Sequence, residues 1–557
     1  MTQYAIGVDF GTLSARALAV EIGTGRELAS ASMDYPHGVM SRALPDGTPL
    51  RPDWALQHPG DYAECLRAVV RETLRRAQLD PANAAGLGVD FTANTFLPVN
   101  AHGDPLCLQP EWQSNPHAWA KLWKHHAAQP FATRMEDAAR ARGEQFLERY
   151  GGKVSPEWML PKLWQILEEA PEVCEAADCF IEAGDWIVRQ LTGSDARSAS
   201  IAGYKAFYDP QSGYPMDYLR ALDPRLARLT EEKLQGRMLP PGARAGVLNA
   251  RGAEWTGLPE GVPVAVANID AHVSMPAAGP TEPGDMLMIL GTSACHIMLG
   301  SEQRSVPGIC GAVLDGVLPG MVGYEAGQNC CGDHFHWIVD HFAPARYAQE
   351  AERRGISLHE LLTEKAAALK PGESGLLALD WWNGNRSVLV DANLTGLLLG
   401  MTLSTRCEEI YRALMEAVAF GARKILDAFE ESGTPVRKLY ACGGIAQKNP
   451  LMMQILADVL RREIRIVRSA QASALGSAMF GAVAAGSAQG GYDSITDAAR
   501  EMGGVDARIY APDPENSRVY DALYREYSLL HDAFGRDQDV VMKRLRRLRD
   551  AQLSRSR

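Results

Sequence analysis

The sequence predicts an α/β protein built from two related lobes that face each other across a cleft. Three observations carry that prediction. Strand-like runs alternate with helical ones, and a glycine-hydroxyl turn between apolar runs recurs half a chain apart, as Gly11-Thr12 and again as Gly291-Thr292-Ser293. A helix-rich stretch separates the sheet-forming parts.

Taken in order, "YAIGVDF" and "ARALAVEI" read as strands around the first turn, "HPGDYAECLRAVVRETLRRAQL" as an amphipathic helix and "GLGVDFT" as a further strand. The segment "SPEWMLPKLWQILEEAPEVCEAADCFIEAGDWIVRQLTG" has helical periodicity punctuated by Pro and Gly, which predicts a helical insertion. The strand pattern restarts at "GVPVAVANIDAHVSM" and continues as strand, turn, strand in "GDMLMILGTSACHIMLG". In "LYACGGIAQKNPLMMQILADVL" a strand runs into a Gly443-Gly444 turn, followed by a helix from about Pro450. The lobe boundary is expected just before the restart, giving lobes of residues 1–260 and 261–557.

At 557 residues, with 46% apolar and 22% charged residues, the chain has enough apolar material for at least two cores. Its net charge of −12 argues against binding to nucleic acid, which needs a basic face to displace counterions. The basic run "MKRLRRLRD" reads as a solvated helix face. No apolar stretch reaches the ~18 residues of a membrane helix, and "MTQYAIGVDF" has neither a basic n-region nor a cleavage site, so a cytoplasmic protein is expected. The ten cysteines lack CxxC pairs and read as reduced, buried apolar residues.

A strand ending in Asp9 and followed by Gly11 and Thr12 can offer backbone N–H groups and a hydroxyl to an anion. The Asp9 carboxylate repels an anion unless Mg²⁺ lies between them, since this hard cation takes carboxylate and phosphate oxygens together. The alternative is a plain turn with a solvated Asp. Neither GxxxxGK[ST] nor GxGxxG after a strand occurs, so any bound phosphate must rest on hairpin turns. Asp270 and Glu325 lie in apolar settings where a carboxylate needs a partner or a task, with turn-capping as the alternative. By itself Lys205 reads as a surface lysine, and the histidines of "DHFHWIVDH" read as structural.

Together "DFGTLSARALAV", "GTSACHIML", "GYEAGQNCCGDHFHWIVD", "TGLLLGMTL" and "ACGGIAQKNPLMMQILADVL" resemble the FGGY family of carbohydrate kinases, over essentially the whole chain. "LWKHH", "NIDAHVSMPAAG" and "DWWNGNRSVLVDANLTG" resemble its ribulose-phosphorylating branch. The resemblance implies two ribonuclease-H-like lobes of the actin and hexokinase type, with ATP and a sugar meeting in the cleft. It implies Asp9 near Mg²⁺, with Gly11, Thr12, Ser14 and Arg16 forming the first phosphate loop and Gly291, Thr292 and Ser293 the second. Gly443 and Gly444 fall on the adenosine turn, with Lys448 and Asn449 beyond it, and Gly332 precedes the helix bordering the nucleotide. Asp270 matches the catalytic base and a sugar contact, while Ala93 through its backbone, Trp123, Lys205 and Glu325 match the sugar site.

Three departures qualify the match. Where many relatives have an asparagine four residues after the second glycine of the adenosine turn, this chain has Lys448 and then Asn449. The WxDxR sugar motif is absent, its region reading "EWQSNPHAW", which disfavours glycerol or xylulose. Met159 stands where a family signature has Pro, Ser or Thr three residues before its lysine, here Lys162, and that segment is expected to be structural. The implied reaction is ATP-dependent phosphorylation of the 5-hydroxyl of L-ribulose in arabinose degradation. D-ribulose, ribitol and xylulose are the alternative acceptors, and a homodimer is one admitted assembly. An actin-like ATP switch and a silent sugar sensor are the competing classes, the first leaving Lys205, Asp270 and Glu325 without a joint task.

Overall fold

The computed structural model describes residues 2–537 and 540–555. In the first lobe β1 (Tyr4–Phe10), β2 (Ser14–Glu21), β3 (Glu27–Asp34), β4 (Ala84–Phe91), β5 (Arg244–Val247) and β6 (Pro263–Ala265) form one sheet in the order β5-β6-β4-β1-β2-β3. β7 (Asn268–Ile269) extends it beside the end of β4. The second sheet contains β8 (Asp285–Leu290), β9 (Ala294–Gly300), β10 (Gly311–Leu314), β11 (Val322–Gln328), β12 (Lys438–Cys442), β13 (Ile464–Val467) and β14 (Val505–Tyr510). Its order is β10-β11-β9-β8-β12-β13-β14.

Set side by side, β3-β2-β1-β4-β6-β5 and β11-β9-β8-β12-β13-β14 agree strand for strand. Both run antiparallel, antiparallel, parallel, parallel, antiparallel. The β1-β2 and β8-β9 turns therefore hold equivalent places, and each closes with a glycine N–H donating at 3.0 Å, Gly11 to Ser14 O and Gly291 to Ser293 O. The duplication inferred from two short motifs is a property of both sheets.

Every residue of β1 is buried, because both faces of the sheet are covered and the strand needs no polar side. On one face lies α1 (Pro59–Ala77), started by Pro59 and the His58 cap, with Tyr62, Leu66, Val69, Val70 and Leu74 as its buried stripe. The predicted helical insertion supplies α2 (Met159–Glu169) and α3 (Ala183–Thr192), with α4 (Ala199–Lys205) just beyond its end, but Cys179–Glu182 within it is a strand of a small four-stranded sheet. A short helix, α5 (Asp270–Val273), follows β7 directly.

The second half adds α6 (Gly332–His341), α7 (Cys407–Glu431), α8 (Gly444–Lys448), α9 (Pro450–Leu460) and α10 (Ala472–Ala485). Although it comes late in the chain, α10 lies on β1 and β4 of the first sheet. A Cβ on Gly7, Gly86 or Gly88 would come within 1.8, 2.0 or 1.8 Å of the Ala474, Gly481 or Ser477 carbonyl oxygen, so only glycine permits this approach. Leu475 and Met479 of α10 share an apolar core with Ala5, Leu18 and Val20 of one sheet and Leu287, Ile297 and Leu299 of the other.

The boundary expected after residue 260 therefore needs correction. Pro263–Ala265 and Asn268–Ile269 pair with β4 and complete the first sheet, since their apolar run is its last parallel neighbour. The basic run lies on the helix Val541–Arg555, where Leu545 and Leu548 are exposed as expected, yet Lys543 pairs with Asp391 at 2.6 Å.

Candidate active site

Register alone brings the first acids together. Asp9 stands opposite Arg16 on β2 and Asp90 on β4, and Arg16 Nε lies 3.2 Å from Asp9 Oδ2. The tetrapeptide Gly-Val-Asp-Phe occurs at 7–10 and again at 88–91, and the copies lie side by side in register. Their phenylalanines stack at 5.0 Å. Sequence reasoning missed Asp90, and this repeat was the signal that could have found it.

Ser477 of α10 donates to Asp90 Oδ2 at 2.5 Å, while Asp90 Oδ1 is buried without a donor and lies beside Asp9. Burial, and then the neighbouring Asp9 charge, push Asp90 well above the usual carboxylate range. Burial also raises Asp9, against the pull of Arg16.

The Gly11-Thr12 turn is braced from three sides. Tyr35 donates to Gly11 O at 3.0 Å, Gln57 Nε2 to Thr12 O at 2.8 Å and Trp123 Nε1 to Thr12 Oγ1 at 3.0 Å. Trp123, expected at the sugar, thus touches the Gly11-Thr12 turn. In the second turn, Gly332 N–H donates to Gly291 O and Cys331 N–H to Thr292 O, both at 2.9 Å. A Cβ on Gly332 would lie 2.8 Å from Gly291 O, which explains the glycine at the start of α6. The N–H groups of Gly11 and Gly291 close their own turns, leaving those of Thr12 and Thr292 without a protein acceptor among the described residues.

In the Gly443-Gly444 turn Gly443 has φ 93°, and a Cβ there would stand 2.5 Å from Leu290 O, so this turn abuts the Gly291-Thr292-Ser293 turn. Gly444 faces open space. Lys448 is exposed, whereas Asn449 caps α9 by accepting from Met452 N–H at 3.0 Å.

Asp270 leaves the end of β7 as the first residue of α5, half-buried, and accepts from Ala271 N–H at 2.8 Å. Burial and then the Asp9 charge raise its carboxyl to about 7. Glu325 on β11 is buried between two cations, Lys205 Nζ at 2.8 Å and the Arg386 guanidinium, with the His272 ring Nε2 at 3.2 Å. Burial alone would raise Glu325, but Lys205, His272 and Arg386 outweigh it and hold the carboxyl well below its ordinary range.

The surface reading of Lys205 is overturned: the side chain is 5% exposed, because α4 turns it inward onto Glu325. Arg386 was not singled out from "NGNRSVLVD", and nothing local to that string marks it. A cavity of about 260 Å³ opens beside Lys205 and Arg386, with Glu157, His126 and Asn329 among its other walls, and Asp270 is not one of them. Ala93 is buried in the loop after β4. Ser14 opens β2, and its carbonyl receives the Gly11 N–H. Of the "DHFHWIVDH" histidines, His334 is buried edge-on to Trp382 at 5.0 Å and drawn down to about 4 by burial, while His336 and His341 are exposed. All ten cysteines are free, and among the described residues no helix is long and apolar enough to cross a membrane.

Residues 4–275 match the N-terminal domain of the FGGY family of carbohydrate kinases, and residues 286–485 match its C-terminal domain. A ribulokinase of Geobacillus thermodenitrificans is 54% identical over 546 residues, covering 98% of this chain and 97% of the relative. One from Mycolicibacterium smegmatis is 49% identical over 549 residues, covering 98% and 96%. Among solved structures, a xylulose kinase from Rhodospirillum rubrum superposes with TM-score 0.77 at 26% identity, covering 95% of this chain and 98% of its own. A ligand-bound xylulose kinase from Lactobacillus acidophilus gives 0.79 at 16% identity over 95% and 98%, a likeness of fold. With paired actin- and hexokinase-type lobes and both family domains matched along the chain, this protein belongs to the FGGY family of carbohydrate kinases and is an ATP-dependent sugar kinase.

Proposed function

We propose that the chain transfers the γ-phosphoryl group of ATP to the 5-hydroxyl of ribulose, with L-ribulose from arabinose breakdown as the acceptor. The observation that carries this reading is Asp270, a carboxyl raised to about 7 that feels the charge of Asp9 beside the Gly11-Thr12 turn and those of Glu325 and Lys205. Relatives named ribulokinase at 49% and 54% identity support the choice of sugar.

In this reading Asp270 accepts the proton of the sugar's terminal hydroxyl as its oxygen bonds to the γ-phosphorus, and ADP departs with the electrons of the broken P–O bond. Such a base contributes ~10²- to 10⁴-fold. The Thr12 and Thr292 N–H groups hold phosphate oxygens, and the loose transition state gains most from such fixed donors. Lys205, with its charge neighbour Arg386, orients sugar hydroxyls, Ala93 presents its backbone to them and Glu325 fixes both cations. Gly443 and Gly444 leave room for the adenosine. Asp9 and the unpartnered Asp90 Oδ1 are hard oxygen donors that suit a Mg²⁺ ion, which would neutralise phosphate charge. Closure of the cleft excludes water, the competing acceptor.

The test is ADP release with L-ribulose, D-ribulose, xylulose, ribitol and glycerol, with and without Mg²⁺. L-Ribulose is expected to give the highest kcat/KM, with no turnover after chelation. A higher value for glycerol or xylulose refutes the ribulose assignment.

A further inference from the structure

We propose that Lys162 and Glu182 form a buried positioning pair that grips the Asn94 peptide from both sides and so aims the Ala93 backbone at the sugar. Asn94 has φ 68°, a left-handed conformation that asparagine adopts more readily than most residues with a Cβ, and its surroundings hold it there. Lys162 Nζ donates to Asn94 O at 2.8 Å, and the Glu182 carboxyl lies on the other side, where the Asn94 N–H works against its upward shift. The next residue is fixed as well, since Ala183 N–H donates to Thr95 O at 2.7 Å. Lys162 also donates to Leu122 O at 2.8 Å, which anchors the chain beside Trp123. One ammonium thereby joins the Ala93 loop to the loop whose indole holds the first phosphate turn.

Lys162 is 0% and Glu182 4% exposed. Burial draws the lysine down to about 7 and pushes the carboxyl up to about 8. Two ionisable groups in so dry a place are costly to keep for scaffolding that an apolar pair could provide. The expectation that the Met159–Lys162 segment is purely structural is refined accordingly: the helix is scaffold, but its lysine reaches a loop that the sugar is proposed to meet.

The inference rests on the reading of Ala93 as a sugar contact. Steady-state kinetics of Lys162→Met and Glu182→Met are compared with the conservative Lys162→Arg and Glu182→Gln, with circular dichroism and Tm as controls for folding. For the sugar that the wild type uses best, KM is expected to rise about tenfold or more in each Met variant, and KM for ATP to stay within about twofold. Glu182→Gln, which keeps an acceptor oxygen, is expected to recover most of the loss. A folded Met variant with unchanged sugar KM overturns the inference, as does a parallel rise in both KM values. Should Lys162→Met fail to fold, Glu182→Met against Glu182→Gln decides it. Wild-type preference for a non-ribulose acceptor refutes the ribulose reading and leaves the comparison intact, because the variants are then assayed with that acceptor.

Discussion

Replacing Asp270 by Asn should separate chemistry from binding and raise stability at the same time. Asn keeps an acceptor for the Ala271 N–H, seen at 2.8 Å, but cannot take the sugar's proton, so kcat is expected to fall by ~10²- to 10⁴-fold. Holding a carboxyl at about 7 instead of 3.8 costs the folded chain at most about 4 kcal/mol at pH 8. Partial exposure screens that to about 1–2 kcal/mol, which the amide should recover. The sign follows from the raised value: the folded state binds the extra proton, so the cost is full above about 7 and disappears as pH falls toward 3.8. Coupled ADP release gives kcat, calorimetric titration gives sugar and nucleotide affinity, and Tm from pH 5 to 8 gives stability. Wild-type kcat, or a variant less stable than wild type at pH 8, would refute the reasoning.

The remaining predictions concern proton state and partners. In the wild type, kcat/KM for the sugar is expected to fall about tenfold per pH unit below about 7, where Asp270 becomes protonated; a flat profile down to pH 5.5 removes it as the base. Glu325→Gln leaves Lys205 and Arg386 without their counter-charge, and a loss of about 3–5 kcal/mol is expected in urea unfolding, with a raised KM for sugar. Gly443→Ala must hold φ 93° with a Cβ 2.5 Å from Leu290 O, so nucleotide affinity should drop about tenfold while sugar affinity, measured by titration, stays constant.

How much of this was legible in the sequence depended on distance along the chain. The turns at Gly11 and Gly291 announced themselves because an apolar strand, a glycine and a hydroxyl are contiguous, and strand pairing carries that local pattern into the site. Asp9, Arg16 and Asp90 follow from register once β1, β2 and β4 are aligned. Lys205 and Arg386 could not be found this way, since each acquires its character from Glu325, which lies 120 and 61 residues away in the sequence. The lobe boundary failed for a similar reason: Pro263–Ala265 looks like a fresh start, and only its pairing with Leu87 shows it to be an end. Lys162 read as part of an apolar helix because its task lies in carbonyl groups, which no sequence pattern displays.

The contact of α10 with β1 and β4 has a mechanical consequence. Main chain rests on main chain at Gly7, Gly86 and Gly88, so the seat of this helix is set by backbone and not by side chains that could repack. The hydrogen bond from Ser477 to Asp90 lies in this seat, which ties one acid of the site to a helix 387 residues away in the sequence.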